Sequence, residues 1–171
     1  MNIIFTGMRG SGKTTLGKQL AELIGWDFID VDAYLEEKLN NKIDQYVHKN
    51  GWKSFREKEK EAAKDLAKKD KTIIATGGGT MIDPENAAVL KQNGFVVFLY
   101  CEINTLKKYL KESYERPSLT GKKSSIDEID EIWEKRKERY HTVTDLVFET
   151  THWPDAKELL SELKKHPQLQ L

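Results

Sequence analysis

The stretch GMRGSGKT at residues 7–14 constrains this chain more than any other feature. It fits the pattern G-x-x-x-x-G-K-[ST], in which glycines let successive backbone N–H groups converge on phosphate oxygens at the start of a helix. An apolar run at residues 3–6 precedes it, and the helix-forming segment TLGKQLAELIG follows it. We therefore expect a strand, a phosphate-binding loop and a helix in this order. The alternative is a glycine turn with a structural role only.

Short apolar runs alternate with longer segments of helical periodicity along the whole chain, which is typical of strand–helix–strand units around a parallel sheet. Strands are predicted at residues 3–6, 27–30, 72–76, 96–100 and 146–149. Helices are predicted at residues 13–24, 33–39, 43–48, 54–68, 84–92, 105–112, 126–140 and 154–164. We expect a single α/β domain over residues 1–171, with a five-stranded parallel sheet between two layers of helices.

Two segments depart from this simple alternation. Residues 33–70 contain more helices than one crossover between strands needs, which indicates a small helical subdomain over one side of the sheet. The segment SYERPSLTGKKSS at residues 113–125 is polar and rich in Ser, Gly and Lys. It is interpreted as a surface loop with a lid role, or alternatively as an ordinary connection between helices.

The composition excludes several classes of function. Lys and Arg together number 28, as do Asp and Glu, so the formal net charge is zero and no global field attracts nucleic acid or an anionic membrane. Cys101 is the single cysteine, and the four histidines lie far apart, which argues against a disulfide or a zinc site. Without an apolar run of membrane-spanning length or a signal-peptide pattern, a cytoplasmic protein is expected.

The residue types of the glycine-rich stretch suit a nucleotide and a metal. Lys13 is placed to reach the β- and γ-phosphates, and the Thr14 hydroxyl to bind Mg²⁺. NKID at residues 41–44 matches a guanine-reading motif, but it lies between two helical segments instead of after a buried strand, so ATP is expected and not GTP.

Two polar or flexible stretches follow the second and third predicted strands. Asp30 and Asp32 stand where ligands bind in open α/β sheets, so one could hold Mg²⁺ while the other faces an acceptor hydroxyl; the alternative is that they cap the following helix. Three consecutive glycines at residues 77–79 indicate that something approaches the backbone closely, such as a small substrate, unless they form a plain turn.

Three arginines complete the set of candidate site residues. Arg56 and Arg136 lie in helical segments and could grip a carboxylate through forked, charge-assisted hydrogen bonds. Arg116 lies in the candidate lid and could close over a transferred phosphate. For each of them the alternative is a solvated surface position.

The motifs GMRGSGKT, DVD, FR, GGG, RP and R-x-x-x-Y, in this order, resemble those of the shikimate kinases, which have the nucleoside monophosphate kinase-like P-loop fold. The resemblance covers essentially the whole chain. It implies transfer of the γ-phosphate of ATP to the 3-hydroxyl of shikimate in aromatic amino-acid biosynthesis, with Mg²⁺ as cofactor. It further implies a substrate-binding subdomain over residues 33–61 and a lid over residues 112–124.

The resemblance also implies roles for individual residues. Asp32 would bind the shikimate hydroxyls and act as base, with Asp30 and Thr14 at the metal. Lys13 would act in catalysis together with Arg116. The nucleotide-binding residues would be Gly10, Ser11, Gly12, Lys13, Thr14, Thr15 and Arg116. The shikimate-binding residues would be Asp32, Arg56, Gly77, Gly78, Gly79 and Arg136.

Some positions depart from the family pattern. Ser118 stands where the family usually has leucine, Arg9 occupies a place in the loop that is usually small or apolar, and Tyr109 lies near the position of an arginine that commonly contacts adenine. Two alternatives stay open. One is a kinase of the same fold for a sugar acid or a nucleoside monophosphate, and the other is an ATP-binding regulatory module without turnover. The fold needs no partner, so a monomer is expected.

Overall fold

The structure is a computed structural model of the chain, and we describe residues 1–112 and 128–171. The described residues form one parallel sheet with the strand order β2-β3-β1-β4-β5. Its strands are β1 (Asn2–Thr6), β2 (Asp27–Asp30), β3 (Thr72–Ala75), β4 (Gly94–Tyr100) and β5 (Leu146–Glu149). The predicted five-stranded parallel sheet is confirmed.

Seven α-helices connect and cover these strands within the described residues. They are α1 (Lys13–Ile24), α2 (Val31–Leu39), α3 (Ile43–Leu66), α4 (Pro84–Lys91), α5 (Ile103–Glu112), α6 (Ile129–Val143) and α7 (Ala156–Leu163). Short 3₁₀ helices follow at Thr80–Ile82 and Pro167–Leu169. None of the helices in the described part of the chain is long and apolar enough to cross a membrane.

The central strand β1 divides the core between the two faces of the sheet. Because side chains alternate along a strand, Ile3 and Phe5 pack with α1 and α7, whereas Ile4 packs on the opposite face with α2, α3 and α4. All three side chains are fully buried. A third apolar cluster around Phe98 and Tyr140 lies beneath α5 and α6. The expected three-layer α/β arrangement is therefore confirmed.

The extra helices between β2 and β3 are α2 and a bent α3. The bend is at Gly51, whose φ of 80° and ψ of 161° are not helical. A positive φ of this size favours glycine, so the break between the two helices predicted at residues 43–48 and 54–68 falls at the residue that tolerates it. Helix α2 begins earlier than predicted, at Val31, because the Asp30 side chain accepts hydrogen bonds from the backbone of its first turn.

Helix α1 provides a direct test of the core on the α1–α7 face. Leu20 is fully buried and Leu23 is 45% exposed on the same helix. Leu20→Ala is expected to lower the free energy of unfolding by about 2–5 kcal/mol, because it leaves a cavity in a closely packed core. Leu23→Ala, the matched control, should change it by about 0.5 kcal/mol or less. Urea denaturation followed by circular dichroism measures both, and equal losses would contradict this description of the core.

Candidate active site

The phosphate-binding loop joins β1 to α1 and ends at Gly12, whose φ of 90° lies in the left-handed region that glycine tolerates. No side chain caps the N-terminus of α1, so its first N–H groups stay available to an anion. The Lys13 ammonium donates to the backbone carbonyls of Gly7 and Met8, at 3.0 and 2.8 Å. The loop therefore folds around its own lysine and presents a cation and backbone donors together.

Thr14 and Asp30 place two hydrogen-bonded side-chain oxygens beside this loop. The Thr14 hydroxyl donates to Asp30 Oδ2 at 2.7 Å, while Asp30 Oδ1 accepts from the backbone N–H groups of Asp32 and Ala33. Asp30 thus caps α2, as the alternative interpretation proposed, and also faces the loop. Hard oxygen donors of this kind suit Mg²⁺, which keeps several waters and phosphate oxygens among its ligands. The described residues contain no cluster of three or more His, Cys, Asp or Glu that could hold a metal without such help.

Asp32 lies in the first turn of α2 and its carboxylate faces the glycine loop that follows β3. Asp32 is exposed to solvent, but surrounding protein atoms still remove part of the hydration of its carboxylate. This desolvation raises the pKa of Asp32 above its ordinary value of 3.8, and the Asp30 carboxylate raises it further, while the Lys13 and Arg9 cations oppose the rise. A carboxyl in this setting is better matched to proton transfer than an ordinary one.

Each of the three consecutive glycines lies against a different functional side chain. A Cβ atom on Gly77 would lie 2.6 Å from Asp32 Oδ1. A Cβ atom on Gly78 would lie 3.2 Å from an Arg136 Nη1 atom, and one on Gly79 would lie 3.2 Å from Arg56 Nη1. The sequence predicted a close approach to this backbone, and the groups that approach it in the structure are the protein's own side chains.

Arg136 and Tyr140 bind the same carbonyl of this loop. Arg136 Nη1 and the Tyr140 hydroxyl donate to the Gly78 oxygen at 2.9 and 2.6 Å. Burial raises the pKa of Tyr140, although the nearby Arg136 cation opposes the rise, so the hydroxyl stays protonated and donates. Tyr140 is the tyrosine of the R-x-x-x-Y motif and its spacing of four from Arg136 places both on one helix face, but it was not predicted as a site residue.

Arg56 is held by a second residue that the sequence analysis missed. Arg56 forms an ion pair with Glu59, which is only 3% exposed, and the other Glu59 oxygen accepts from the Thr80 hydroxyl at 3.0 Å. Thr80 directly follows the glycine loop, so Glu59 ties α3 to that loop. The i,i+3 spacing of Arg56 and Glu59 was the signal available in the sequence.

A family comparison gives this arrangement its context. The family model described as shikimate kinase matches residues 9–165. The chain belongs to the shikimate kinase family. It is 36% identical to shikimate kinase 2 of Yersinia enterocolitica over 90% of this chain and 88% of that one. It is 38% identical to shikimate kinase of Alkaliphilus oremlandii over 88% of this chain and 90% of that one.

A solved structure of the family has the same fold. Shikimate kinase from Acinetobacter baumannii, in complex with shikimate, superposes with a TM-score of 0.84 at 32% identity. The match covers 96% of this chain and 90% of that one. The predicted family resemblance is therefore confirmed.

The remaining predicted site residues are placed as follows. In the loop Ser11 is buried, Gly10 is half-buried and Thr15 is exposed. Arg116 and residues 113–124 of the predicted lid lie outside the described residues. Tyr109 packs edge-to-face on Trp153 with ring centroids 5.1 Å apart, and a Trp153 ring atom lies 4.0 Å from where a Cβ atom on Gly12 would be. This aromatic pair therefore borders the phosphate-binding loop.

The environment of Asp32 predicts that its ionised carboxylate lowers the free energy of unfolding at neutral pH. Because its pKa is higher in the folded chain than in the unfolded one, Asp32 favours folding below the unfolded pKa of 3.8, and this contribution is lost as the pH rises through the folded pKa. In buffer with EDTA, Asp32→Asn should therefore melt at a higher temperature than wild type at pH 7. The difference should shrink towards about pH 4, where the wild-type carboxyl is partly protonated. Calorimetry at both pH values measures this, and a variant less stable than wild type at pH 7 would contradict it.

Proposed function

We propose that this chain is a shikimate kinase, which transfers the γ-phosphate of ATP to the 3-hydroxyl of shikimate and yields shikimate 3-phosphate and ADP. The observation that carries the proposal is the convergence of one carboxylate and two guanidinium groups on the glycine loop. That loop adjoins the phosphate-binding loop: a Cβ atom on Gly78 would lie 3.7 Å from the Gly7 carbonyl oxygen. The cleft therefore suits an acceptor that carries both hydroxyl groups and a carboxylate.

The nucleotide phosphates would lie along the loop at residues 10–15, where the N-terminus of α1 and Lys13 provide positive charge. Thr14 and Asp30 would hold Mg²⁺, which supplies charge neutralisation to the β- and γ-phosphates when it is bound. Lys13 would exchange its two carbonyl partners for phosphate oxygens. Arg116 would join it in stabilising the charge that develops during transfer.

The acceptor would bind at the glycine loop, opposite the nucleotide. Its carboxylate would lie between Arg56 and Arg136 and its ring hydroxyls near Gly77–Gly79. The 3-hydroxyl oxygen forms a bond to the γ-phosphorus while the bond from that phosphorus to the bridging oxygen breaks and ADP leaves with the electron pair. The proton of the hydroxyl passes to Asp32. Positioning of the two substrates provides most of the rate enhancement in such a transfer.

The proposal also covers the surroundings of this site, the location of the protein and its oligomeric state. Residues 33–61 would bind the acceptor, and residues 112–124, of which 113–124 lie outside the described residues, would act as the lid. The ring of Tyr109, against which Trp153 packs edge-to-face, stacks on the nucleotide base, which is consistent with its place beside the phosphate-binding loop. The enzyme acts in the cytoplasm as a monomer.

The first test is ADP release by the purified chain with ATP and Mg²⁺. We expect turnover with shikimate, but not with gluconate or with nucleoside monophosphates, and we expect EDTA to abolish it. Activity with one of these control acceptors and not with shikimate would overturn the assignment of Arg56 and Arg136 while leaving the P-loop kinase intact. ATP binding without turnover on any acceptor would favour a regulatory module.

The carboxylate grip is tested at Arg136. Arg136→Ala is expected to raise the KM for shikimate by about tenfold to a hundredfold, as the loss of a hydrogen bond to a charged group does. The KM for ATP should stay the same. Lys135→Ala removes a cation from the same helix, one that is 70% exposed and pairs with Glu131, and serves as the control. An unchanged KM for shikimate in the Arg136 variant would exclude the grip.

A further inference from the structure

Trp52 is a large aromatic residue whose position the fold alone does not explain. It directly follows the bend of α3 at Gly51 and is 47% exposed, although burial of an indole would be favourable. Its ring meets the buried ring of Phe55 edge-to-face, with centroids 5.9 Å apart and planes at 81°. Trp52 is thus anchored to the core at one contact while much of its surface faces solvent.

The same ring lies next to the guanidinium group of Arg56. The Arg56 Cζ atom is 5.2 Å from the centroid of the Trp52 ring and 5.7 Å from that of Phe55. Both distances are within the range of cation–π attraction, for which the indole ring is the best partner. Two neighbouring rings therefore lie within cation–π range of a cation that also binds Glu59.

Glu59 and the two aromatic rings attract the Arg56 guanidinium group in different ways. Glu59 binds it through Nη1, as an edge contact, whereas aromatic rings attract a guanidinium cation without consuming its N–H donors. A carboxylate ligand needs a free edge for a forked hydrogen-bonded pair. The Arg56 side chain is 39% exposed, so an ion pair with Glu59 alone would allow its guanidinium group several orientations. The aromatic rings restrict these orientations and leave N–H donors for a ligand.

We propose that Trp52 is a positioning residue for Arg56: its ring holds the guanidinium group with an edge free for the carboxylate of the acceptor, and so sets the affinity for that acceptor. This inference rests on the proposed function. Trp52 acts through Arg56 and needs no contact with the reacting atoms. A loss of Trp52 therefore weakens acceptor binding and leaves the transfer step unchanged.

Three substitutions separate this role from simple packing. Trp52→Ala removes the ring, Trp52→Leu keeps apolar bulk without a π system, and Trp52→Phe keeps an aromatic face. The Ala and Leu variants should raise the KM for shikimate about three- to tenfold, the loss expected for a partly exposed cation–π contact, and Phe should restore most of it. In all three Trp52 variants the kcat and the KM for ATP should stay at wild-type values. Lys53→Ala, at the adjacent exposed position, is the control and should also keep both values.

A double-mutant cycle tests whether the effect passes through Arg56. In an Arg56→Ala background, Trp52→Ala should not raise the KM for shikimate further. An additive increase there, an unchanged KM in the single Trp52→Ala variant, or a Leu variant as good as Phe would each overturn the inference while leaving the proposed function in place. A wild-type chain without shikimate-dependent turnover would overturn both.

Discussion

The close approach of side chains to the backbone at Gly77–Gly79 is the constraint on which the proposed acceptor site depends. The adjacency of β2, β3 and β1 brings the ends of these strands to one edge of the sheet. Asp32 and Arg56 reach the glycine loop from the α2–α3 region, and Arg136 reaches it from α6. Any side chain at these three positions would push one of the functional groups away, because the distances leave no room for a Cβ atom without a shift.

The electrostatic balance around Asp32 follows from the same convergence. The carboxylates of Asp30 and Glu59 raise its pKa in addition to desolvation, and Lys13 and Arg9 oppose them. The buried side chain of Glu59 forms an ion pair with Arg56 and accepts a hydrogen bond from Thr80, and these contacts compensate for the hydration that it loses on burial. The site therefore holds three carboxylates close together, an arrangement that stability alone would not favour.

The features predictable from the sequence are those set by local chemistry. The phosphate-binding loop has a motif between a strand and a helix, and Gly51 interrupts a helical pattern, so both could be located without tertiary information. Glu59 and Tyr140 were not predicted as site residues because their spacing from Arg56 and Arg136 places each pair on one helix face but does not show which group across the fold each one binds. Helix capping and metal binding were treated as alternatives for Asp30. In the structure one carboxylate oxygen accepts from the backbone of α2 and the other from Thr14, so one role does not exclude the other.

The two halves of the cleft are built in different ways, and this difference determines where specificity can vary. In the proposed function, the backbone N–H groups of the phosphate-binding loop and Lys13 hold the nucleotide phosphates, so this side of the cleft depends on loop conformation and tolerates few changes. The proposed acceptor side consists of side chains that other side chains support: Arg136 shares a carbonyl with Tyr140, and Arg56 forms an ion pair with Glu59. The supporting residues Tyr140 and Glu59 can change independently of the phosphate-binding loop. A different acceptor would therefore require new residues in α3 and α6, while the phosphate-binding loop could stay the same.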